Sequence, residues 1–356
     1  MGGDKVERFC LLKFYLKEVL RMRSSSRWLF LLFLFFLYAG ALVWAQEHSA
    51  GEMAHEALKS AGAQESGLAW WMWPLILFGF TFVIGIIAPL SGVGGGVLFV
   101  PLSTAFFPFS VDFIRGAGLI MALTSALSAT PQFIRKGLAN IRIMAPLVCV
   151  SMVTSILGGI VGLWITNAFP SGKYYITIAL GIVLLVIFVV MLTSKRVEFP
   201  EVKEQDPLSK ALALTGSWYE PTLNKVLEYK VTRLPIGLIC FAAVGFIAGM
   251  FGLGAGWANV PVLNLIMGAP IKVAVATSMT IISINDAAAA WIYLAKGAVL
   301  PLIVVPSVVG ITIGARIGAK LAVKAKPAFV KILVMGIMLL AAALNIVKGL
   351  KGLHII

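Results

Sequence analysis

The chain has 356 residues, of which 60% are hydrophobic and only 12% charged, with a mean hydropathy of +0.97. Soluble domains average roughly 25% charged residues, so water is not its main solvent. The formal net charge is +14, but Lys and Arg cluster between apolar runs rather than on one amphipathic face, which excludes a nucleic-acid surface and marks them as topology signals.

Residues 1–27 form a basic segment, placed on the cytoplasmic side, and the apolar run 28–45 that follows is either a signal peptide ending near Val43-Trp44-Ala45 or a first transmembrane helix. Both leave the acidic segment 46–69, with Glu47, Glu52, Glu56 and Glu65, on the outer face. The apolar stretch Trp70 to Phe107 is too long for one straight span and is interrupted by Pro89-Leu-Ser-Gly-Val-Gly-Gly-Gly96, which predicts a break in the helix at membrane depth. New half-helices are expected from Val97 and, later, from Trp257. Further runs cover 111–134, 141–168 and 174–194, closing a first repeat over 70–194. Lys195 to Arg233 is a long charged connection on the cytoplasmic side. Runs at 234–250, 256–268, 271–295, 299–323 and 328–347 form a second repeat over 234–348, broken at Phe251-Gly-Leu-Gly-Ala-Gly256, before a short tail over 349–356.

A constant shift of 160 residues superposes the two halves. Gly85 falls on Gly245, Gly92 on Gly252, Gly94 on Gly254, Gly96 on Gly256, Val100-Pro101 on Val260-Pro261, Lys136-Gly137 on Lys296-Gly297, and Gly158 on Gly318. Chance would share apolar letters, not helix breakers in one register. The expected fold is therefore an all-α polytopic membrane protein made of two repeats of about five helices. If each broken region crosses twice, Arg135 to Arg142, Lys195 to Arg233 and Arg316 to Lys331 all lie inside, as the positive-inside rule requires, and the repeats are inverted. A re-entrant segment 97–108 would instead leave four crossings per half and parallel repeats.

Discontinuous helices in paired repeats are how membrane proteins build a binding site near the midplane, because the freed N–H groups of a half-helix attract an oxyanion without a full cation in lipid. The competing reading is close helix packing, since Gly92 and Gly96, like Gly252 and Gly256, have GxxxG spacing. The candidate anion cradle comprises Ser91, Gly94, Gly95 and Gly96 at the first break and Gly254, Ala255, Gly256 and Asn259 at the second. Thr124, Ser125 and Asn285 add polar side chains at equivalent depths, although membrane hydroxyls often only bond back to the i−4 carbonyl. Arg115 opens its run near the membrane surface, where it could snorkel or attract an anion. Asp286 lies near the centre of the 271–295 run; burying it costs several kcal/mol unless it is paired, hydrated or protonated, so it is the candidate proton-coupling group.

Ser91-Gly-Val-Gly-Gly-Gly-Val-Leu-Phe-Val-Pro101 and its echo Phe251-Gly-Leu-Gly-Ala-Gly-Trp-Ala-Asn-Val-Pro261 resemble the paired motifs of the TauE/SafE sulfite exporter family over about residues 72–348. Ala255 replaces the middle glycine in the second copy. The resemblance implies a transporter of sulfite, sulfonates such as sulfoacetate, or related small anions, often in the bacterial inner membrane. The alternatives are an anion channel and a membrane scaffold or receptor whose charged loop binds a cytoplasmic partner. An enzyme is disfavoured by the lack of a Ser/His or HExxH arrangement. Three cysteines without CxxC or zinc spacing and three histidines in polar ends or loops imply neither disulfide nor metal, and no cofactor is expected. The expected partners are a small anionic substrate and the lipid bilayer, not nucleic acid, with a homodimer left open.

Overall fold

The computed structural model describes residues 72–91, 95–135, 137–193, 200, 202, 204–220, 225–322 and 327–354. The chain separates into the units Met1–Glu56 and Ala57–Ile356, and all of the described residues belong to the second. The basic N-terminus, the signal-or-anchor segment and the acidic segment therefore lie outside the described residues.

The first half runs through α1 (Met72–Ser91), α2 (Gly95–Phe106), α3 (Val111–Arg135), α4 (Ile141–Ala168) and α5 (Gly172–Thr193). The second runs through α7 (Leu234–Phe251), α8 (Gly256–Pro261) with a π-helical continuation Val262–Ile266, α9 (Ile271–Ala295), α10 (Pro301–Ala322) and α11 (Pro327–Gly352). Among the described residues seven helices, α3, α4, α5, α7, α9, α10 and α11, are long and apolar enough to cross a membrane, while Met72–Ala88 and Gly95–Phe106 are shorter apolar helices. This is an all-α multi-pass membrane protein. Pro146 and Pro306, equivalent in the two halves, sit inside α4 and α10, where bilayer-spanning helices tolerate proline because neighbours re-satisfy the backbone. Gly137 and Gly297 both adopt positive φ, of 67° and 69°, so each of these equivalent glycines turns the chain after a helix.

The half-helices begin at Gly95 and Gly256, slightly earlier than the apolar pattern places them, because glycine adds no hydropathy to mark its own start. Each is a return leg. Phe107, just past the end of α2, stands 6.2 Å from Trp73 at the start of α1, and Phe109 stands 4.8 Å from it. The Thr232 N–H, just before α7, likewise donates to the Met267 carbonyl at the end of the second leg over 3.0 Å. Both legs thus come back to the level at which their own first helix begins. Twelve residues of α2 rise about 18 Å, too little to span the hydrocarbon core alone.

The principal packing partners are α1 with α10, α4 with α7, α5 with α11 and α3 with α9. Exchanging the halves returns the same set, since α1 corresponds to α7 and α4 to α10. Small residues let these helices approach: a methyl added at Gly85 would lie 2.7 Å from the Ile311 carbonyl oxygen, and one at the equivalent Gly245 would lie 2.5 Å from that of Ser151.

The connection between the halves is more ordered than its charge pattern suggests. It holds a short helix α6 (Pro207–Ala211) and an antiparallel hairpin, β1 (Thr215–Glu220) with β2 (Lys225–Lys230), in which Gly216 pairs with Tyr229 and Trp218 with Leu227. Trp218 and Tyr229 pack edge to face at 5.5 Å and join a core with Ile143, Leu147, Phe241, Leu263 and Met267. Asn140, the N-cap of α4, ties the hairpin down by donating to the Thr215 carbonyl (3.1 Å) and the Tyr229 hydroxyl (2.8 Å), while its own N–H donates to Thr277 of α9 (3.2 Å).

Candidate functional site

The second break starts where Gly252 caps α7 with φ 70°, its N–H donating to the Ala248 carbonyl. Gly254 then turns the chain at φ 72°, in the left-handed region where a side chain is strained. Ala255 precedes α8, and its carbonyl accepts from the N–H groups of Ala258 (3.2 Å) and Asn259 (3.0 Å). The first break comes up against this turn. A methyl on Gly96 would lie 2.8 Å from the Leu253 carbonyl oxygen, 2.9 Å from that of Gly118 and 3.0 Å from the Ala122 Cβ. One on Gly254 would lie 2.8 Å from the same Ala122 Cβ and 3.2 Å from Asp286 Oδ2. The start of α2 and the second break therefore meet on α3 at Ala122, and α9 brings the Asp286 carboxyl to the same spot.

Asp286 is 0% exposed, and neither of its oxygens has a hydrogen-bond partner among the described residues. The same holds for both polar side-chain atoms of Asn259, for Trp257 Nε1 and for Ser278 Oγ, all of them buried. Buried polar groups are nearly always paired, so a concentration of unpaired ones on α8 and α9 marks a place where a ligand or proton can complete them. Among the described residues no group of three or more His, Cys, Asp or Glu could hold a metal ion.

The other predicted residues divide. Gly95 is buried at the start of α2, and Ala255 and Gly256 are buried beside the turn. Thr124 spends its hydroxyl on the Ile120 carbonyl at 2.7 Å, and Ser125 is half-buried one position on. Asn285 points its amide at Ser151 of α4, 2.7 Å away, so it joins two helices. Arg115 differs most from the sequence expectation: it is fully buried, ion-paired to Asp112, and donates to the Met250 carbonyl (2.9 Å), the Thr166 hydroxyl (2.9 Å) and the Gly162 carbonyl (3.3 Å). It is not a snorkelling cation at the surface, because polar partners from α3, α4 and α7 hold it inside. Gly94 and the Ser91 side chain lie outside the described residues.

Trp257 and Ser278 also carry buried unpaired polar atoms, although no sequence motif points to them. The available signal is asymmetry, since Trp257 stands where the first copy has Val97 and Ser278 where it has Gly118.

A family model described as sulfite exporter TauE/SafE matches residues 77–345. The chain belongs to the TauE/SafE family. Its match takes in both breaks, α3, α9 and the hairpin, so this TauE/SafE protein is a membrane transporter. "Probable membrane transporter protein YunE" of Bacillus subtilis (strain 168) is 25% identical over 252 residues, covering 69% of this chain and 87% of its own. "Probable membrane transporter protein MJ0441" of Methanocaldococcus jannaschii is 25% identical over 217 residues, covering 60% of this chain and 68% of its own. No solved structure matches the chain at significant similarity.

Proposed function

We propose that this protein is a secondary transporter of a small anion, with sulfite or an organosulfonate such as sulfoacetate as substrate, working by alternating access in the plasma membrane. One observation carries the reading: the unpaired Asp286 carboxyl faces the Gly254 turn where it meets the start of α2. The glycines let an oxyanion approach backbone N–H groups at the start of α2, and the buried, unpaired donors Trp257 Nε1 and Asn259 Nδ2 on α8 are available to complete its coordination. Asp286 serves as the proton-coupling group, because a carboxyl set in an apolar site beside a bound anion is tolerated when it carries a proton.

Inverted repeats fit this mechanism. Each return leg ends beside the start of its own first helix, so a half contains five legs whether or not the return leg traverses the full core. An odd number would make the second half begin on the opposite side, and the docking of the hairpin on Asn140, which brings two of the basic connections together, supports that arrangement.

A ligand-stabilisation screen of the purified protein tests the reading, using sulfite, sulfate, sulfoacetate, taurine and simple carboxylates. A substrate present at a hundredfold excess over Kd stabilises by about 2.7 kcal/mol. Sulfite or sulfoacetate should raise Tm while the others do not; no shift with any of them removes the anion reading. A flux that fails to saturate would favour a channel instead.

A further inference from the structure

The end of α7 is held by two side chains that the proposed transport reaction does not otherwise use. The Met250 carbonyl accepts from Arg115 Nη1 at 2.9 Å, and the single Tyr293 hydroxyl proton is shared between the Met250 carbonyl at 3.1 Å and the Gly249 carbonyl at 3.0 Å. These are last-turn carbonyls whose helical donors are lost where the chain breaks, and a cation is favoured at such a terminus. Arg115 also pairs with Asp112, reaches the Thr166 hydroxyl at 2.9 Å and the Gly162 carbonyl at 3.3 Å on α4, and lies 5.6 Å over the Tyr293 ring. One guanidinium thereby joins α3, α4, α7 and α9. Its backbone matters too: a methyl on Gly252 would lie 2.7 Å from the Arg115 Cα, so α3 and the start of the turn are in direct backbone contact.

The arrangement belongs to one break only. In the first copy the position of Tyr293 is Phe133, and in the second copy the positions of Asp112 and Arg115 are Lys272 and Val275. A buried arginine in a membrane protein is costly, and here its donors converge on the end of the helix that precedes the turn facing Asp286.

We infer that Arg115 and Tyr293 are positioning residues that latch the end of α7 and so set the Gly252–Gly254 turn for substrate binding, an assignment that rests on the reading of this break as the substrate site. Two variants separate the latch from general packing. Tyr293→Phe keeps the ring over Arg115 and removes one donor; Arg115→Lys keeps a charge for Asp112 but lacks the fork that spans Met250, Gly162 and Thr166 together.

The experiment pairs hydrogen exchange on the purified full chain with uptake of radiolabelled sulfite into proteoliposomes. In Tyr293→Phe, amides of 249–256 should exchange about tenfold faster, the effect of losing one buried hydrogen bond, while those of α10 and α11 keep their parental rates. Arg115→Lys should enlarge the same local effect. Half-saturation for sulfite should rise about tenfold in Tyr293→Phe with a smaller change in maximal rate, since the chemistry of the site is intact and only its placement is loosened. Unchanged exchange at 249–256 in both variants overturns the latch, and so does an increase spread evenly over every helix. Local exchange that rises while half-saturation stays at the parental value overturns the positioning role. If the parent transports no sulfite or other tested anion yet the local exchange rises, the latch stands and the transport reading fails.

Discussion

The two return legs differ in what holds and lines them. In the first copy the return leg α2 lies against aromatic side chains of α1, with Phe80 6.3 Å from Phe99, and its far end is gripped by α11: Asn345 donates to the Pro101 carbonyl at 3.0 Å and Lys348 to that of Thr104 at 2.6 Å. In the second copy the return leg is closed by main chain and by the hairpin, through Thr232 on Met267 and the core around Trp218 and Tyr229. The lining differs as well. Trp257, Asn259, Ser278 and Asp286 are buried with unpaired polar atoms, whereas the equivalent Val97, Phe99, Gly118 and Ala126 carry no polar side-chain atom. At these four aligned positions the duplication left polar side chains in the second copy and none in the first. On the proposed reading, the first copy would supply close backbone approach and the second the groups that bind and couple.

The largest test of that division is a pair of glycine substitutions, one in each copy. Gly254→Val puts a β-branched side chain at φ 72° and against Ala122 and Asp286, so both strain and overlap oppose it. Transport should be abolished and thermal stability lowered by about 2 to 4 kcal/mol. Gly95→Ala meets chiefly the flexible end of Ile311, which can move aside. It should keep measurable sulfite uptake. Equal loss in the two variants, at equal membrane levels, would mean that the breaks are not specialised.

Next in size is Asp286→Asn, which preserves volume but removes titration. If the second copy carries the coupling, the variant keeps anion-for-anion exchange and loses accumulation driven by a proton gradient. Parental accumulation by the Asn variant would make Asp286 structural and move the coupling to another ion.

The same residues separate what a linear chain displays from what only folding creates. Helix breakers recur at a fixed shift, so both breaks, the duplication and the spans are visible in the residue pattern alone, at Gly92 to Gly96 and Gly252 to Gly256. Asp286 is visible because one acid stands out in an apolar run. Features that depend on contacts between distant segments are not legible in this way. Arg115 has the pattern of a helix-end cation, and only the fold brings it Met250 and Thr166, 135 and 51 positions away. The hairpin is hidden because Lys225, Glu228 and Lys230 on β2 give its segment the charge of a linker, while Tyr229, which anchors it, finds its partner Asn140 far upstream. Thr124 shows the opposite case, a polar residue at a suitable depth that satisfies itself within its own helix.

Smaller effects probe how the return legs are held. Asn345→Leu leaves the Pro101 carbonyl without its buried donor and should cost about 1 to 3 kcal/mol. Its mark is selective loss of protease or exchange protection in α2, with α8 unaffected; equal loosening of both legs would deny that α11 serves the first copy alone. Tyr229→Phe removes the 2.8 Å bond to Asn140 while keeping the ring against Trp218, and should cost about 1 kcal/mol, read as faster exchange in the hairpin. Burial pushes the Tyr229 hydroxyl up from its ordinary range, against the opposing Asn140 hydrogen bond, so it stays protonated through neutral pH and the effect should not vary between pH 6 and 8.

The smallest expected effect lies at Asp206, which organises the entry of the connection into α7. It caps α6 by accepting from the Ser209 N–H at 3.1 Å, and its other oxygen accepts from the Arg233 N–H at 2.6 Å. Burial alone would raise its carboxyl, but hydrogen bonds from Ser209, Arg233 and Leu234 outweigh that and hold it below its ordinary value. A folded-state value below the unfolded one, which is about 3.9, means the native state binds fewer protons. The stabilisation is then fully present above the unfolded value and is lost as pH falls through the folded one. Because the group is largely solvent-screened, its contribution is about 0.5 to 1 kcal/mol. Asp206→Ala should therefore melt below the parent at pH 7, with the two curves converging as pH is lowered through about 4 toward 3. The loss should be confined to α6 and the hairpin that close the second copy, leaving α2 and its α11 clamp at parental stability. A gap in Tm that stays constant across that range would show that the carboxylate contributes nothing through its charge and that the cap acts by shape alone.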